Sequence, residues 1–458
     1  MIEGLTQKCS ILFLFTLICI ACTKESSVSP EPPEPPMPPV AGDSTDVVFQ
    51  MRTAPVTYAM TDQMENHLQT ADVLAFREDN NNLYFAYHAR GRDIMDINTS
   101  QKQFTATLKT DSSRYQFVIL ANAREEIERL GNLPETGTKE QVLATILSKN
   151  PEKWNASAGY RPIPMWGETG IMKIGDNTSI NNIQLLRALS RIDVLISGGI
   201  QSKFKLYEVY VYNRKSRGHI IPKTDYWDPA EQKVTAATVP EDMYPSEPLT
   251  IKAPLLYDSV SMTQLTNTIY TYEAEKVDLN ERLDATCLVI GGFYGTETTP
   301  SYYRIDLLND TQTAFRDLLR NHLYEIEVMA VSGSGYDTPE AAFEGRIKNM
   351  EVVITAWNLS TMEIVIEGTY SLKISPSTFL LEDTEAHTLV AAITTNYPRG
   401  WTFQVDPLDQ ASGFDASRVE DDLQIQVPAS VVSRTYRIEV TAGNLKKVWI
   451  VVERKTGH

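Results

Sequence analysis

The chain has 458 residues, with 59 acidic residues against 42 basic ones and a formal net charge of −17. This acidic balance argues against nucleic acid as a partner, because phosphates are bound by a basic face. Two of the four cysteines, Cys9 and Cys19, lie in a predicted signal peptide, so no disulfide framework is expected.

Residues 1–21 predict a lipoprotein signal peptide. Lys8 precedes a short apolar run, Ile11 to Ala21, which Cys22 follows, and this run is too short to cross a membrane as a helix. Cys22 follows an Ile-Ala pair as in a lipobox, although Cys19 stands where leucine is usual. We expect cleavage before Cys22 and a lipid on its thiol. The alternative is an ordinary secretory signal with an incidental cysteine.

Residues 22–45 predict an extended tether. Seven prolines lie between Pro30 and Pro39, among serine and glutamate residues. Such a segment forms extended polyproline and cannot pack a core. It would hold a folded body away from a membrane.

Residues 46–186 predict a β-sandwich domain that opens with an apolar strand. This strand consists of Val47, Val48, Phe49, Gln50 and Met51. Its buried face is either Val47, Phe49 and Met51 or the alternate set, depending on its register.

The rest of this domain alternates strand patterns with one helix pattern. Thr138 and Gln141 have the spacing of a capping box and predict a helix over residues 138–150. Strands are expected at 71–76, at 83–88, and in a hairpin made by 104–108 and 115–121.

Residues 187–358 predict a second antiparallel β-sandwich, because period-2 patterns follow one another without a long helical pattern. The segments 302–307 and 324–328 are expected to pair with each other. The other strands are expected at 187–196, 204–212, 269–274, 285–294 and 352–357.

Residues 359–458 predict an immunoglobulin-like β-sandwich, because six or seven short strands follow at steady spacing. The strings Leu-x-Ile-Ser-Pro from Leu372, Gly-Trp at Trp401 and Tyr-Arg-Ile-x-Val-Thr-Ala-Gly from Tyr436 look like a BACON module. The resemblance implies either a spacer or a glycan-contacting module. Trp401 is therefore a candidate for stacking on a sugar, with a place in the core as the alternative.

Several strings resemble the fimbrillins, the lipoprotein pilins of Bacteroidetes. They occur in the family's order and cover the chain from the signal to Trp357. They are Phe-Val-Ile-Leu-Ala-Asn-Ala from Phe117, Pro-Met-Trp-Gly from Pro164, Arg-x-x-Ser-Arg-Ile-Asp-Val from Arg187, Arg-Asn-His-Leu-Tyr-Glu-Ile-Glu-Val from Arg320, and Ala-Trp at Trp357. The resemblance implies a mainly β fold of two transthyretin-like sandwiches, followed here by the immunoglobulin-like one.

The resemblance also implies assembly by donor-strand exchange. In the family a protease removes the first strand, and a strand of the next subunit fills the groove by β-augmentation. The strand at residues 47–51 matches the removable one. Cleavage usually follows Arg or Lys in the next loop, but residues 53–60 contain neither, which leaves Arg52 as the candidate.

A folded module after Trp357 would leave no free strand to donate, so the chain would accept a strand without giving one. That favours a fimbrial tip subunit on the outer membrane surface, with other fimbrillin subunits and a host or bacterial surface ligand, such as a glycan, as partners. The alternatives are a fimbrial anchor subunit and a stand-alone glycan-binding lipoprotein. The last predicts exposed aromatic residues in a row, with candidates Tyr207, Tyr210, Tyr212, Tyr226 and Trp227.

Motifs for enzyme chemistry are absent from the sequence. The six histidines have no metal-ligand spacing, and there is no nucleophile elbow and no phosphate-binding glycine loop. We expect no catalytic residue, no cofactor and no metal. A glycosidase needs only two carboxylates without a local motif, so that class stays open on sequence grounds.

Overall fold

The structure is a computed structural model. It describes residues 43–53, 65–97, 101–131, 133, 137–150, 152–154, 161–175, 178–229, 233–242, 246–309, 311–359, 363–367, 370–381, 383–395, 397–420, 422–443 and 448–454. Cys22, the predicted signal peptide and the predicted tether up to residue 42 lie outside the described residues and stay predictions.

The first β-sandwich packs a four-stranded sheet against a five-stranded one. Its strands are β1 (Ser44–Arg52), β2 (Ala71–Asp79), β3 (Asn82–Arg90), β4 (Arg92–Asp96), β5 (Gln101–Lys109), β6 (Tyr115–Ala121), β7 (Leu147–Lys149), β8 (Met165–Glu168), β9 (Ser179–Gln184) and β10 (Leu186–Arg187). The sheet orders are β4-β5-β1-β9 and β10-β8-β6-β2-β3, and β7 lies outside both sheets. Alternate apolar residues from both sheets close the core between them.

The hairpin of β2 and β3 follows from its turn residues. Asn80 and Asn81 have φ values of 49° and 65°, and they connect the paired residues Asp79 and Asn82. Two consecutive positive φ values define a type I′ turn, in which asparagine is favoured. The strands predicted at 71–76 and 83–88 are therefore confirmed as one hairpin.

Two short helices cover the outer face of the five-stranded sheet. They are α1 (Arg124–Arg129) and α2 (Lys139–Leu143). The capping box of Thr138 and Gln141 is confirmed, but the predicted helix over 138–150 is wrong beyond Leu143. The segment continues as β7, because its backbone pairs with β14 (Arg217–His219) of the next sandwich.

The second β-sandwich consists of two four-stranded sheets. Its strands are β11 (Ser190–Ile196), β12 (Phe204–Tyr212), β13 (Arg214–Lys215), β14, β15 (Trp227–Asp228), β16 (Lys233–Val234), β17 (Thr250–Ile251), β18 (Leu255–Asp258), β19 (Gln264–Thr271), β20 (Cys287–Tyr294), β21 (Ser301–Asp306), β22 (His322–Val331) and β23 (Met350–Asn358), with helix α3 (Pro339–Glu344) between the last two. The sheet orders are β19-β11-β22-β23 and β18-β12-β20-β21, and the remaining short strands form the separate pairs β13-β17, β14-β7 and β15-β16.

Two predicted strand pairings are wrong. Segments 104–108 and 115–121 form β5 and β6, which belong to opposite sheets of the first sandwich. Likewise β21 pairs with β20, while β22 pairs in parallel with β11 and antiparallel with β23. In both cases the chain crosses from one sheet to the other, so neighbours in sequence are not neighbours in a sheet.

The third β-sandwich follows β23. Its strands are β24 (Glu363–Glu367), β25 (Tyr370–Ser375), β26 (Thr378–Leu381), β27 (His387–Thr395), β28 (Thr402–Val405), β29 (Asp415–Val419), β30 (Asp422–Val427), β31 (Arg434–Thr441) and β32 (Val448–Arg454), with helix α4 (Pro407–Gln410). The sheet orders are β24-β25-β27-β30-β29 and β26-β32-β31-β28. The mainly β fold of packed antiparallel sheets is confirmed.

No helix in the described ranges is long and apolar enough to cross a membrane. The same residues contain no group of three or more His, Cys, Asp or Glu side chains placed to hold a metal ion.

Candidate functional site

Strand β1 occupies an interior position in its sheet. All nine of its residues pair antiparallel with β5, from Ser44 opposite Lys109 to Arg52 opposite Gln101. On its other side it pairs in parallel with β9, beginning at Val48 opposite Ser179. Because both edges of β1 are hydrogen-bonded, its removal would expose two facing strand edges.

One face of β1 is buried in the core of the first sandwich. Val47 and Phe49 are fully buried and Met51 is 1% exposed, whereas Gln50 faces solvent. The structure thereby selects the first of the two registers that the sequence allowed. Burying one such side chain contributes about 1.5–3 kcal/mol, so this strand is a large part of the local core.

The two strands beside β1 contribute apolar side chains, which would form the floor of the groove left by its removal. From β5 the floor contains Phe104, Ala106 and Leu108, and from β9 it contains Ile180 and Ile183, all buried. Without β1 these side chains would line a groove between two unpaired backbone edges. A groove of this kind binds an extended peptide, with backbone hydrogen bonds for affinity and pockets for alternate side chains.

Arg52 ends β1, and only its side chain is accessible. The guanidinium faces solvent, but the backbone carbonyl of Arg52 accepts a hydrogen bond from the amide of Leu185 at 2.8 Å. The next residue, Thr53, is 5% exposed. The bond between Arg52 and Thr53 is therefore held in the sheet, and a protease could reach it only after the end of β1 had separated locally.

A buried charge cluster surrounds Glu65, which lies between β1 and β2 in the sequence. The carboxylate of Glu65 accepts a hydrogen bond from Arg191 at 2.9 Å and lies 3.3 Å from Arg187. The hydroxyl of Tyr270 also donates to Glu65, and Asp193 lies 3.1 Å from Arg191. Burial alone would raise the pKa of Glu65, but the charges of Arg191 and Arg187 hold it below its usual value.

This cluster joins the first two sandwiches, and sequence reasoning missed it. Arg187 and Arg191 belong to the string that supports the family resemblance, which was the only available signal. Glu65 is more than a hundred residues away in sequence, in a region without a strand pattern.

The string from Arg320 to Val328 is also structural. Arg320 is 1% exposed and donates to the carboxylate of Glu273 and the carbonyl of Ile220, each at 2.6 Å. The Nδ1 atom of His322 lies 2.8 Å from the carbonyl oxygen of Arg320, and burial lowers the pKa of His322. These contacts fix His322 at the start of β22.

The chain beyond Trp357 is folded into the third sandwich. Trp357 is 1% exposed, and β24, five residues after the end of β23, pairs with β25. The amine of Lys373 in β25 forms an ion pair with Glu325 in β22. Among the residues that the structure describes, no strand after Trp357 stands free for donation to another chain.

Trp401 does not offer a ring face to a ligand. It is 4% exposed and belongs to the core of the third sandwich. The guanidinium of Arg418 lies 4.4 Å from the centre of its ring. The sugar-stacking role suggested for Trp401 is therefore not supported, and its place in the core accounts for it, because the indole contributes its area to packing.

The aromatic row expected of a glycan-binding protein is not formed. Tyr207 is 43% exposed, but Tyr212 is 3% exposed and stacks on Phe343 at 4.3 Å. Tyr226 and Trp227 pack instead against the outer face of the first sandwich. These side chains consequently do not share one exposed face.

A cleft of about 1060 Å³ lies between the second and third sandwiches. Its wall mixes charged, polar and aliphatic side chains from both, including Lys233, Arg316, Asp317, Tyr324, Phe379, His387 and Leu389. Tyr324 is buried, with its hydroxyl donating to the carbonyl of Asp317 at 3.0 Å. Tyr324 therefore offers no exposed ring face for stacking on a sugar.

Tandem sandwiches that carry the motifs described above define a fimbrillin of the Bacteroidetes. The chain belongs to the family of fimbrillin-A associated anchor proteins Mfa1 and Mfa2, whose model matches residues 44–361. The resemblance inferred from the sequence is thereby confirmed at the level of the family.

Individual proteins of Porphyromonas gingivalis are also similar to the chain. The major fimbrium tip subunit FimE of Porphyromonas gingivalis is 22% identical over 188 residues, which cover 41% of this chain and 32% of that relative. The match thus spans about a third of the relative's length. The structure of the tip fimbrial protein Mfa3 from Porphyromonas gingivalis, with a C-terminal truncation, has a TM-score of 0.44 and 14% identity, and the match covers 69% of this chain and 99% of that one.

Proposed function

We propose that the chain is a non-enzymatic accessory subunit at the tip of a cell-surface fimbria. It joins the fimbria by protease-triggered donor-strand exchange and presents its third sandwich as an adhesive module. The observation that carries this proposal is the position of β1 between β5 and β9, with its own side chains Val47, Phe49 and Met51 buried in the core. Removing that strand creates an acceptor groove with two edges and an apolar floor.

The folded third sandwich supports a terminal position. A subunit in the middle of a polymer must both accept and donate a strand, whereas this chain continues from Trp357 directly into paired strands. It therefore accepts without donating. In this proposal residues 46–186 and 187–358 form the fimbrillin pair. Residues 359–458 form the presenting module.

The proposed location is the outer surface of the outer membrane. A lipid on Cys22 anchors the precursor, and the tether at residues 22–45 holds the sandwiches away from the membrane. The partners are other fimbrillin subunits and a host or bacterial surface ligand, with a glycan as one class. No cofactor and no catalytic residue takes part.

The first experiment determines the N-terminus of surface-exposed protein sheared from cells, by mass spectrometry. A start at Thr53 means that β1 has left and the groove is open. If all surface protein starts at lipidated Cys22, the groove stays filled. The proposal then fails in favour of a fimbrial anchor subunit or a stand-alone surface lipoprotein.

A second experiment tests the groove itself. A chain that begins at Thr53 is mixed with a synthetic peptide of sequence Ser44–Arg52, and thermal unfolding is followed. The peptide should raise Tm in a saturable way, because it restores the nine pairs with β5. A matched peptide carrying Phe49→Asp should not, since it would bury a carboxylate in the core. Equal effects of the two peptides would contradict the proposal.

A further inference from the structure

Another cleft, of about 720 Å³, lies at the junction of the first two sandwiches. One wall comes from helix α2 and the chain that follows it up to Leu147. The other wall comes from residues 217–225 and 238–241 of the second sandwich, and we call this space the α2 cleft. Binding sites for small molecules have volumes of about 300–1,000 Å³ and often lie between domains. The α2 cleft therefore has the size and position of such a site.

The lining of the α2 cleft is mainly apolar. Aliphatic and proline side chains come from both sandwiches, namely Leu143, Leu147, Ile221, Pro222, Val239 and Pro240. Leu147 and Val239 are only half-buried, so part of their apolar surface is in contact with water. A ligand with apolar surface of its own would remove this surface from water, which favours binding.

The imidazole of His219 is a polar group set into this lining. The register of β14 and β7 places His219 opposite Leu147, and the guanidinium of Arg320 donates to the backbone carbonyl of His219 at 3.0 Å. Burial, together with the charges of Arg320 and Lys223, lowers the pKa of His219 to about 4, and no hydrogen bond to its ring is formed within the described ranges. The ring is therefore neutral at physiological pH, with one nitrogen that donates and one that accepts.

The charges around the α2 cleft balance one another. Its described lining contains three cations, Lys139, Arg217 and Lys223, and three carboxylates, Glu140, Asp225 and Glu241. Two of the cations already have partners, because the amine of Lys139 lies 2.7 Å from the carboxylate of Glu168 and Arg217 donates to the carbonyl of Glu247 at 2.8 Å. The cleft consequently has no excess charge to offer a ligand. An uncharged molecule can enter it without bringing an unpaired charge out of water.

The walls of the α2 cleft are held in place by hydrogen bonds within the chain. The capping box at Thr138 fixes the start of α2. On the opposite wall the amide of Lys223 donates to the hydroxyl of Thr238 at 3.1 Å, and the amide of Thr238 donates to the carboxylate of Glu273 at 3.0 Å. The site thus exists before a ligand arrives, so binding needs little ordering of the protein.

We propose that the α2 cleft binds an uncharged, mainly apolar small molecule, one polar group of which forms a hydrogen bond with the imidazole of His219. The aliphatic side chains provide the contact area, and His219 orients the ligand. Since the walls belong to the first and second sandwiches, the bound molecule connects the two. Helix α2 covers the five-stranded sheet, whereas β1 lies in the four-stranded one, so this site is independent of strand exchange.

The test uses N-phenyl-1-naphthylamine, an uncharged aromatic amine with one N–H donor, whose fluorescence rises in apolar surroundings. The dye is titrated into the mature chain, produced without lipid so that no micelle binds the dye. We expect saturable binding with one dye per chain. The sulfonated analogue 8-anilino-1-naphthalenesulfonate has the same rings and a negative charge. It should bind about tenfold more weakly, because its charge has no free partner in the cleft.

Three variants locate the bound dye. Ala144 is exposed and lines the cleft, so Ala144→Trp should fold normally and weaken binding at least about tenfold by filling the space. Thr145→Trp, at the next exposed position but outside the lining, is the matched control and should bind like the wild-type chain. His219→Phe keeps a ring but removes the hydrogen bond, and should raise Kd about five- to tenfold.

Four outcomes would overturn the proposal. The absence of saturable dye binding would mean that the cleft is not a binding site. Binding that survives Ala144→Trp would place the dye on another surface. Equal affinity for the sulfonated analogue would show that the site does not select uncharged molecules, and an unchanged Kd in His219→Phe would show that the imidazole makes no bond to the ligand. A Tm close to that of the wild-type chain confirms that each variant is folded.

Discussion

The rings of Phe49 and Phe104 stack face to face, with centroids 4.8 Å apart and planes 2° from parallel. The two residues are direct partners in the register of β1 and β5. The tightest aromatic contact of β1 is therefore made with the strand that would become one edge of the acceptor groove. Withdrawal of β1 has to separate these rings before another strand can enter.

We predict that Phe49→Ala destabilises the protein by about 3–5 kcal/mol, because it leaves a cavity in a fully buried position. Denaturant unfolding of the mature chain measures the change. Gln50→Ala, on the solvent face of the same strand, should change stability by less than about 0.5 kcal/mol. Similar losses for the two variants would mean that β1 does not face the core as described.

We predict that Glu65→Gln costs about 3–5 kcal/mol, because it removes the carboxylate from a buried cluster that contains Arg187 and Arg191. The matched control is Glu247→Gln, which breaks the exposed ion pair with Lys149 and should change stability little, because solvent screens that pair. Chemical denaturation compares the two variants.

The acid side of the stability profile gives an independent test of Glu65. Its pKa is lowered in the folded chain, so its contribution is complete above the pKa of the unfolded chain and is lost as pH falls through the folded pKa. Glu65→Gln should therefore lose less stability on acidification than the wild-type chain. Parallel profiles for the two proteins would contradict the assignment of Glu65 to a cationic cluster.

His219 gives a prediction in a different pH range. Burial, together with the charges of Arg320 and Lys223, lowers its pKa to about 4. Between pH ~6.5 and ~4 this histidine is protonated in the unfolded chain but neutral in the folded chain. The free energy of unfolding therefore falls as pH falls, by at most ~3 kcal/mol. His219→Gln should reduce that slope, as measured by denaturation at several pH values. An unchanged slope would mean that His219 is solvated.

We predict that Trp401→Ala destabilises the third sandwich by about 3–5 kcal/mol, since it empties a core position. Hydrogen exchange of β28 and β31 reports this sandwich separately from the others. Leu408→Ala, at a side chain that is 77% exposed, should change exchange little. A Trp401→Ala variant of normal stability that had lost binding to a sugar would restore the stacking hypothesis.

The sequence was sufficient to place most strands, because period-2 alternation reports burial on one face. It was not sufficient for their partners. The proximity of β21 and β22 along the chain suggested a pair, but each joins a different sheet of the second sandwich. Long-range pairing depends on how whole sheets pack, which a local pattern does not contain.

Local helix signals were overridden by contacts with distant residues. The capping box at Thr138 starts a helix as expected, yet Leu147–Lys149 becomes a strand because β14 offers it a partner. The candidate site shows the same division. The apolar strand at residues 47–51 could be found from its sequence, whereas the cluster at Glu65 depends on residues brought together only by the fold.

The two-sided pairing of β1 has a mechanical consequence. Hydrogen bonds in an antiparallel ladder lie perpendicular to the strands, so tension applied along a strand in that position loads them in shear. The nine pairs with β5 then resist together, whereas peeling from one end breaks them one at a time. A joint made in this slot would withstand pulling by fluid flow, yet it could still be assembled stepwise without external force.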